Sequence, residues 1–139
     1  MAVSFFSEQI AMPALKKRVI KTWVSEIIEN HEKKSGNINF IFTTDDMLLE
    51  INKKYLNHDY YTDIITFDYS TNRLIHGDIY ISLDRVNENA STLNTGTTEL
   101  FRVMIHGVLH LLGYDDSDNE SQEKMRKAED QCITLLLNK

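Results

Sequence analysis

Apolar positions recur along this chain with two different periods. Leu15, Val19, Ile20, Trp23, Val24, Ile27 and Ile28 keep helical spacing, with Lys16, Lys17, Arg18, Lys21, Glu26 and Glu29 between them. This predicts an amphipathic helix over roughly residues 13–33, with Pro13 near its start, where a missing N–H is tolerated, and Gly36 just after it. Asn37 to Phe42 alternates polar and apolar and then turns fully apolar, which predicts a strand. Thr44 or Asp45 can cap a second helix through Met47, Leu48, Ile51 and Tyr55. Residues 57–63 are polar and read as a loop, 64–69 have strand composition, and 70–72 are turn-like. A further strand, Ile79–Ser82, is preceded by Gly77-Asp78. The period then returns to helical over residues 83–93. Thr97 or Thr98 caps another helix through Leu100, Val103, Met104, Val108 and Leu111, which Gly113 ends. A last helix over about 117–137 carries Met125, Ala128, Cys132, Leu135 and Leu136 as its apolar stripe. The order predicts an α+β domain with helices packed on a small sheet, whose strand order the pattern leaves open.

The length of 139 residues fits a single domain over 1–139. Hydrophobic residues at 42% and charged residues at 26% match an ordinary globular protein, which excludes a disordered tail or a disulfide scaffold. A single cysteine, Cys132, rules out an internal disulfide and favours a reducing compartment. There is no apolar run long enough to span a bilayer, and the N-terminal residues lack the order of a secretory signal. A cytoplasmic protein without a membrane partner is expected. The formal charge of −6 argues against a general coating of positive charge for nucleic acid, though not against a local basic patch. Lys16, Lys17, Arg18 and Lys21 supply one cluster, Lys53 and Lys54 a second, and Lys124, Arg126 and Lys127 a third.

The segment that carries chemistry is Ile105-His106-Gly107-Val108-Leu109-His110-Leu111-Leu112-Gly113-Tyr114-Asp115-Asp116. His106 and His110 are four apart on a strong helix and so project from one face, a turn apart. Gly113 stops the helix, and Asp116 could return across its end as a third ligand. Two nitrogens and a carboxylate oxygen leave an open position for water, as in catalytic zinc sites. Burying two unpaired imidazoles in so apolar a helix would be costly. The acids Asp115, Asp116, Asp118 and Glu120 also suit the start of the next helix. Gly107 stands where a His-Glu-x-x-His protease needs its general-base glutamate, so a peptidase reading is weakened. That glycine could instead let backbone or substrate approach the metal. Glu120 and Asp115 are candidate bases, and the catalytic residue stays unknown. His31, His58 and His76 lack ligand spacing and are expected to face solvent. Cys132 is expected to be a buried, inert thiol and Trp23 a core residue.

The run His106-Gly107-Val108-Leu109-His110-Leu111-Leu112-Gly113-Tyr114-Asp115 resembles the signature of the YbeY family of metal-dependent endoribonucleases. The likeness extends to Ile51-Asn52 through Tyr55, Asp59, Thr62–Phe67, Gly77–Ser82, Met125 and Glu129. It implies an α+β fold with a small mixed sheet and a zincin-like metal-bearing helix. It also implies single-strand-specific RNA cleavage by a metal-activated water, acting in maturation of the small-subunit rRNA 3′ end and in ribosome quality control. The implied partners are rRNA and the small ribosomal subunit. His106 and His110 fall on ligand positions. Asp116 occupies the family's third-ligand histidine position, and Asp115 is the alternative. One zinc per chain is implied, with Mn²⁺ or Mg²⁺ better tolerated by the harder aspartate. Leu56 replaces a family arginine that faces the substrate. Lys54, His58 and Arg102 are candidate replacements, and the departure also favours a non-catalytic ribosome-biogenesis factor with a structural metal. A metal-dependent hydrolase of another substrate is the remaining alternative.

Overall fold

The computed structural model describes residues 2–93, 96 and 98–139. Its elements are β1 (Val3–Ser7), α1 (Lys17–Asn30), β2 (Lys34–Thr43), α2 (Asp45–Leu56), β3 (Ile64–Asp68), β4 (Leu74–Ser82), α3 (Leu83–Leu93), α4 (Thr98–Leu111) and α5 (Asn119–Leu137). The strands form one sheet in the order β1-β2-β4-β3. β1 and β4 both run parallel to β2, and β3 pairs antiparallel with β4, so the sheet is mixed as the family resemblance implied.

Alternation decides which residues reach the core. Ile38, Phe40 and Phe42 of β2 share a face and are fully buried. Phe40 stands in register between Phe5 and Ile79, and its ring stacks on Phe5 at 5.7 Å. Helices α1, α4 and α5 add Trp23, Val24, Met104, Val108, Met125 and Cys132 to this core, and α3 adds Leu83 and Val86. The Trp23 indole N–H donates to the Cys132 carbonyl at 2.7 Å, tying α1 to α5. Both residues are thus buried as expected, and burial pushes the Cys132 thiol up to about 11.

The differences from the sequence reading have physical causes. β1 goes beyond the sequence reading: it is a short edge strand, and its partner among the described residues, β2, lies more than thirty residues away. The first helix starts at Lys17 rather than near Pro13, because residues 8–16 carry the chain from β1 to α1. Gly36, placed just after the helix by the sequence reading, lies inside β2, and Glu32 is a left-handed residue between α1 and β2. β4 begins at Leu74, so Gly77-Asp78 belongs to the strand. Of the cap alternatives, Thr44 rather than Asp45 caps α2, accepting from the Met47 N–H. Thr97 lies outside the described residues. Asp118 caps α5 in a reciprocal pair with Ser121.

Candidate metal centre

Helix α4 lies across the sheet, and its composition splits it into two faces. Val103, Met104, Val108 and Leu111 enter the core, while His106 and His110 stay half-buried on the rim of a cleft. Gly107 faces the sheet: a Cβ there would meet Ile79 at 2.8 Å and Ile64 at 3.1 Å. Its role is close approach of helix to sheet, which corrects the expectation that it opens a path to the metal.

The helix ends in a Schellman motif. The N–H of Gly113 donates to the His110 carbonyl and that of Tyr114 to the Leu109 carbonyl, both at 3.0 Å. Gly113 has φ +102°, a conformation that a side chain would strain. Asp115 then fixes the turn, accepting from the Asp116 N–H at 2.8 Å and the Ser117 hydroxyl at 2.7 Å. The Ser117 hydroxyl and Asp116 N–H together hold its carboxyl below the usual carboxylate range. So engaged, Asp115 forms the turn, and Asp116 is the acid whose carboxylate lies beside the two histidines. Glu120 is exposed in the first turn of α5.

The Nε2 atoms of His106 and His110 are 3.0 Å apart, and Asp116 Oδ2 lies 3.3 Å and 3.5 Å from them. A tetrahedral ion with bonds of about 2.0–2.2 Å requires donor separations of about 3.3–3.6 Å. The triangle fits with adjustments of a few tenths of an ångström, and this trio could hold a metal ion.

Two residues that spacing alone did not select complete the surroundings. Glu129 of α5 is buried and accepts from His106 Nδ1 at 2.6 Å. That bond fixes the ring's tautomer, leaving the Nε2 lone pair directed at the other two donors. Burial opposes the charged form of His106, but the Glu129 hydrogen bond and the charges of Glu129, Asp116 and Asp63 outweigh it and raise the imidazole above its ordinary value. Asp63, from the loop before β3, lines the cleft beside His106 and Asp116. Burial lifts its carboxyl above its ordinary value, against opposing contributions from a backbone hydrogen bond, His106 and Arg85. The available signals were an acid on the apolar stripe of the last helix, for Glu129, and membership of the upstream motif, for Asp63.

The cleft has a volume of ≈ 530 Å³ and runs from the trio past Asp63 to Leu56, His58 and Tyr60. Leu56, at the arginine position, is 41% exposed on its wall. Among the described residues lining it there is no lysine or arginine. Arg102 does not line this cleft and is engaged by carboxylates, with Nη1 donating to Glu129 at 2.9 Å and Nη2 to Asp130 at 2.6 Å. Lys54 lies over the Tyr55 ring, and Lys53 pairs with Asp59. Of the basic groups noted in the sequence, Arg126 lines both pockets that adjoin His106 and Asp116 on the α5 side, and Arg102, held by its two carboxylate partners, lines one of them.

The other histidines divide. His58 is exposed as expected. His31 is half-buried, accepting or donating through Nε2 to the Tyr114 hydroxyl at 3.0 Å, which ties α1 to the turn after α4. His76 is half-buried too, packed over Gly36, with Nδ1 accepting from the Asn37 N–H. Both were expected in solvent; each instead closes a contact between elements distant in sequence.

The family profile described as Endoribonuclease YbeY matches residues 4–136. An Endoribonuclease YbeY of Parabacteroides distasonis is 44% identical over 137 residues, covering 98% of this chain and 96% of the relative. One from Flavobacterium psychrophilum is 53% identical over 115 residues, 82% of each chain. A Thermotoga maritima protein solved in solution superposes with a TM-score of 0.69 at 25% identity, covering 99% of this chain and 90% of that one. No helix among the described residues is long and apolar enough to cross a membrane. With a profile match over nearly its whole length and close relatives of the same description, the chain belongs to the Endoribonuclease YbeY family.

Proposed function

We propose that the chain works as one unit, a metal-dependent endoribonuclease that cuts single-stranded RNA. Its proposed role is ribosomal RNA processing at the 3′ end of the small-subunit RNA, together with ribosome quality control. The supporting observation is the convergence of His106, His110 and Asp116 on one point of a cleft, in a member of an endoribonuclease family. Zinc is the proposed ion, held by these three side chains, with manganese or magnesium accommodated by the aspartate. When bound, such an ion supplies stabilisation of charge on phosphoryl oxygens and acidifies a water near neutral pH.

The chain's own residues do the rest. Glu129 holds the His106 ring in one orientation through its Nδ1. Asp63, in the same cleft, is the carboxylate we assign to accept a proton from the attacking water, in place of Asp115 and Glu120. Arg126 is the cation assigned to a substrate phosphate, taking the part of the arginine replaced by Leu56. Small ribosomal particles are the proposed site of action.

The test is cleavage of a short single-stranded RNA by nuclease-free protein, alongside metal content. Chelation and His110→Ala should each abolish cleavage, and His110→Ala should also lose the metal. Unchanged cleavage by metal-free protein would contradict the mechanism. Leu56 supports a second reading, a binding factor with a structural metal. That reading predicts retained metal, binding to small-subunit particles and no cleavage.

A further inference from the structure

The loop that enters the cleft between α2 and β3 carries more exposed aromatic surface than packing requires. Tyr60 is 56% exposed and lines the same cleft as the metal-ligand trio. The His58 ring stacks on it with centroids 5.1 Å apart and planes 20° from parallel, and the Tyr60 hydroxyl shares a 3.0 Å hydrogen bond with His58 Nδ1. The loop backbone beneath is fixed by α2. The buried Asn52 amide donates to the Tyr60 carbonyl at 2.9 Å, and the His58 N–H donates to the Asn52 carbonyl at 3.1 Å. Asn57, between them, takes the left-handed conformation that ends the helix. An exposed ring is thus held in place through a buried side chain. Tyr61, next to it, is already occupied, its hydroxyl donating to Asp46 and its ring facing Arg85.

We propose that Tyr60, backed by His58, is a stacking platform for a nucleobase of the single-stranded RNA as the strand enters the cleft. The identity of this ligand rests on the nuclease reading above. What favours a base over a phosphate is the lining. It offers Asp63, Asp68 and Asp116 but, among the described residues, no lysine or arginine. A flat aromatic face accepts any base, and such stacking is tolerant of sequence. The strand then presents bases on the Tyr60 side, while its phosphates meet Arg126 on the α5 side.

The test compares binding of a short, nuclease-stable 2′-O-methyl oligonucleotide of mixed sequence with that of an abasic oligomer of equal length, using full-length, metal-loaded protein. Tyr60→Ala should weaken the base-bearing oligomer about tenfold and leave the abasic one unchanged. Tyr60→Phe keeps the ring and should stay within about twofold of wild type. Metal content and melting temperature control for folding. Equal binding of the two oligomers by wild type, or unchanged binding by Tyr60→Ala, would overturn the platform. Cleavage of ordinary RNA is scored separately: a chain that stacks bases without cutting supports the platform and refutes the nuclease reading.

Discussion

Gly107→Ala probes how α4 is seated, because two effects of opposite sign meet there. Alanine improves helix propensity by about 1 kcal/mol over glycine. Its Cβ, however, would lie 2.8 Å from Ile79 Cγ2, 3.0 Å from Ile79 Cδ1 and 3.1 Å from Ile64 Cδ1. Carbon pairs are most favourable at about 3.5–4.0 Å, so roughly 0.7 Å must be found by moving the helix or twisting Ile79. Ile79 is fully buried in β4 and stiff at χ1, so it yields poorly. Overpacking of this kind costs about 1–3 kcal/mol, which leaves a net loss of about 1 kcal/mol. In urea unfolding of the metal-free chain, the midpoint should fall with the slope unchanged. The melting temperature should drop by roughly 2–6 °C. In an Ile79→Ala background the same substitution should cost less or turn neutral, since the two nearest obstructing atoms are gone and Ile64 Cδ1, at 3.1 Å, is left to give way. A Gly107→Ala chain more stable than wild type in the native background would refute the packing argument.

Three further outcomes follow from the cleft. Glu129→Ala should lower metal affinity about 10–100-fold in a competition titration, and Glu129→Gln, which still accepts from His106, should lose less. Asp63→Asn should lower kcat by about 10²–10⁴-fold with metal content intact. A base works only when ionised, so wild-type activity should fall as pH drops through a pKa raised above that of an ordinary aspartate, and the variant should lack that limb. Arg126→Ala should weaken RNA binding and reduce the slope of log affinity against log salt by about 0.7, the share of one phosphate contact on a single strand.

What the sequence disclosed was mostly local. α3 over 83–93 and the His106/His110 pair rest on periods within a few residues, and the stop at Gly113 on one backbone conformation. Asp116 follows from these, because a fixed helix end leaves the next residues little freedom. The family resemblance added the mixed sheet. What stayed hidden depends on contacts across the fold. β1 is defined by β2, and Glu129 meets His106 from 23 residues away. Gly107 is one residue, about 100° of helical turn, from His106, enough to aim it at Ile79 rather than along the face that carries the two histidines. His31 and His76 looked idle because their partners, Tyr114 and Asn37, lie on other elements.

The most direct measurement is the metal content of purified, full-length protein, wild type beside Asp116→Ala. Asp116 is partly exposed and its backbone turn is fixed by Asp115 and Gly113, so the variant should fold. About one divalent ion per wild-type chain is expected, with most of it lost from the variant. A wild-type chain that takes up no ion, or an alanine variant that keeps its full complement, would contradict a centre built from His106, His110 and Asp116.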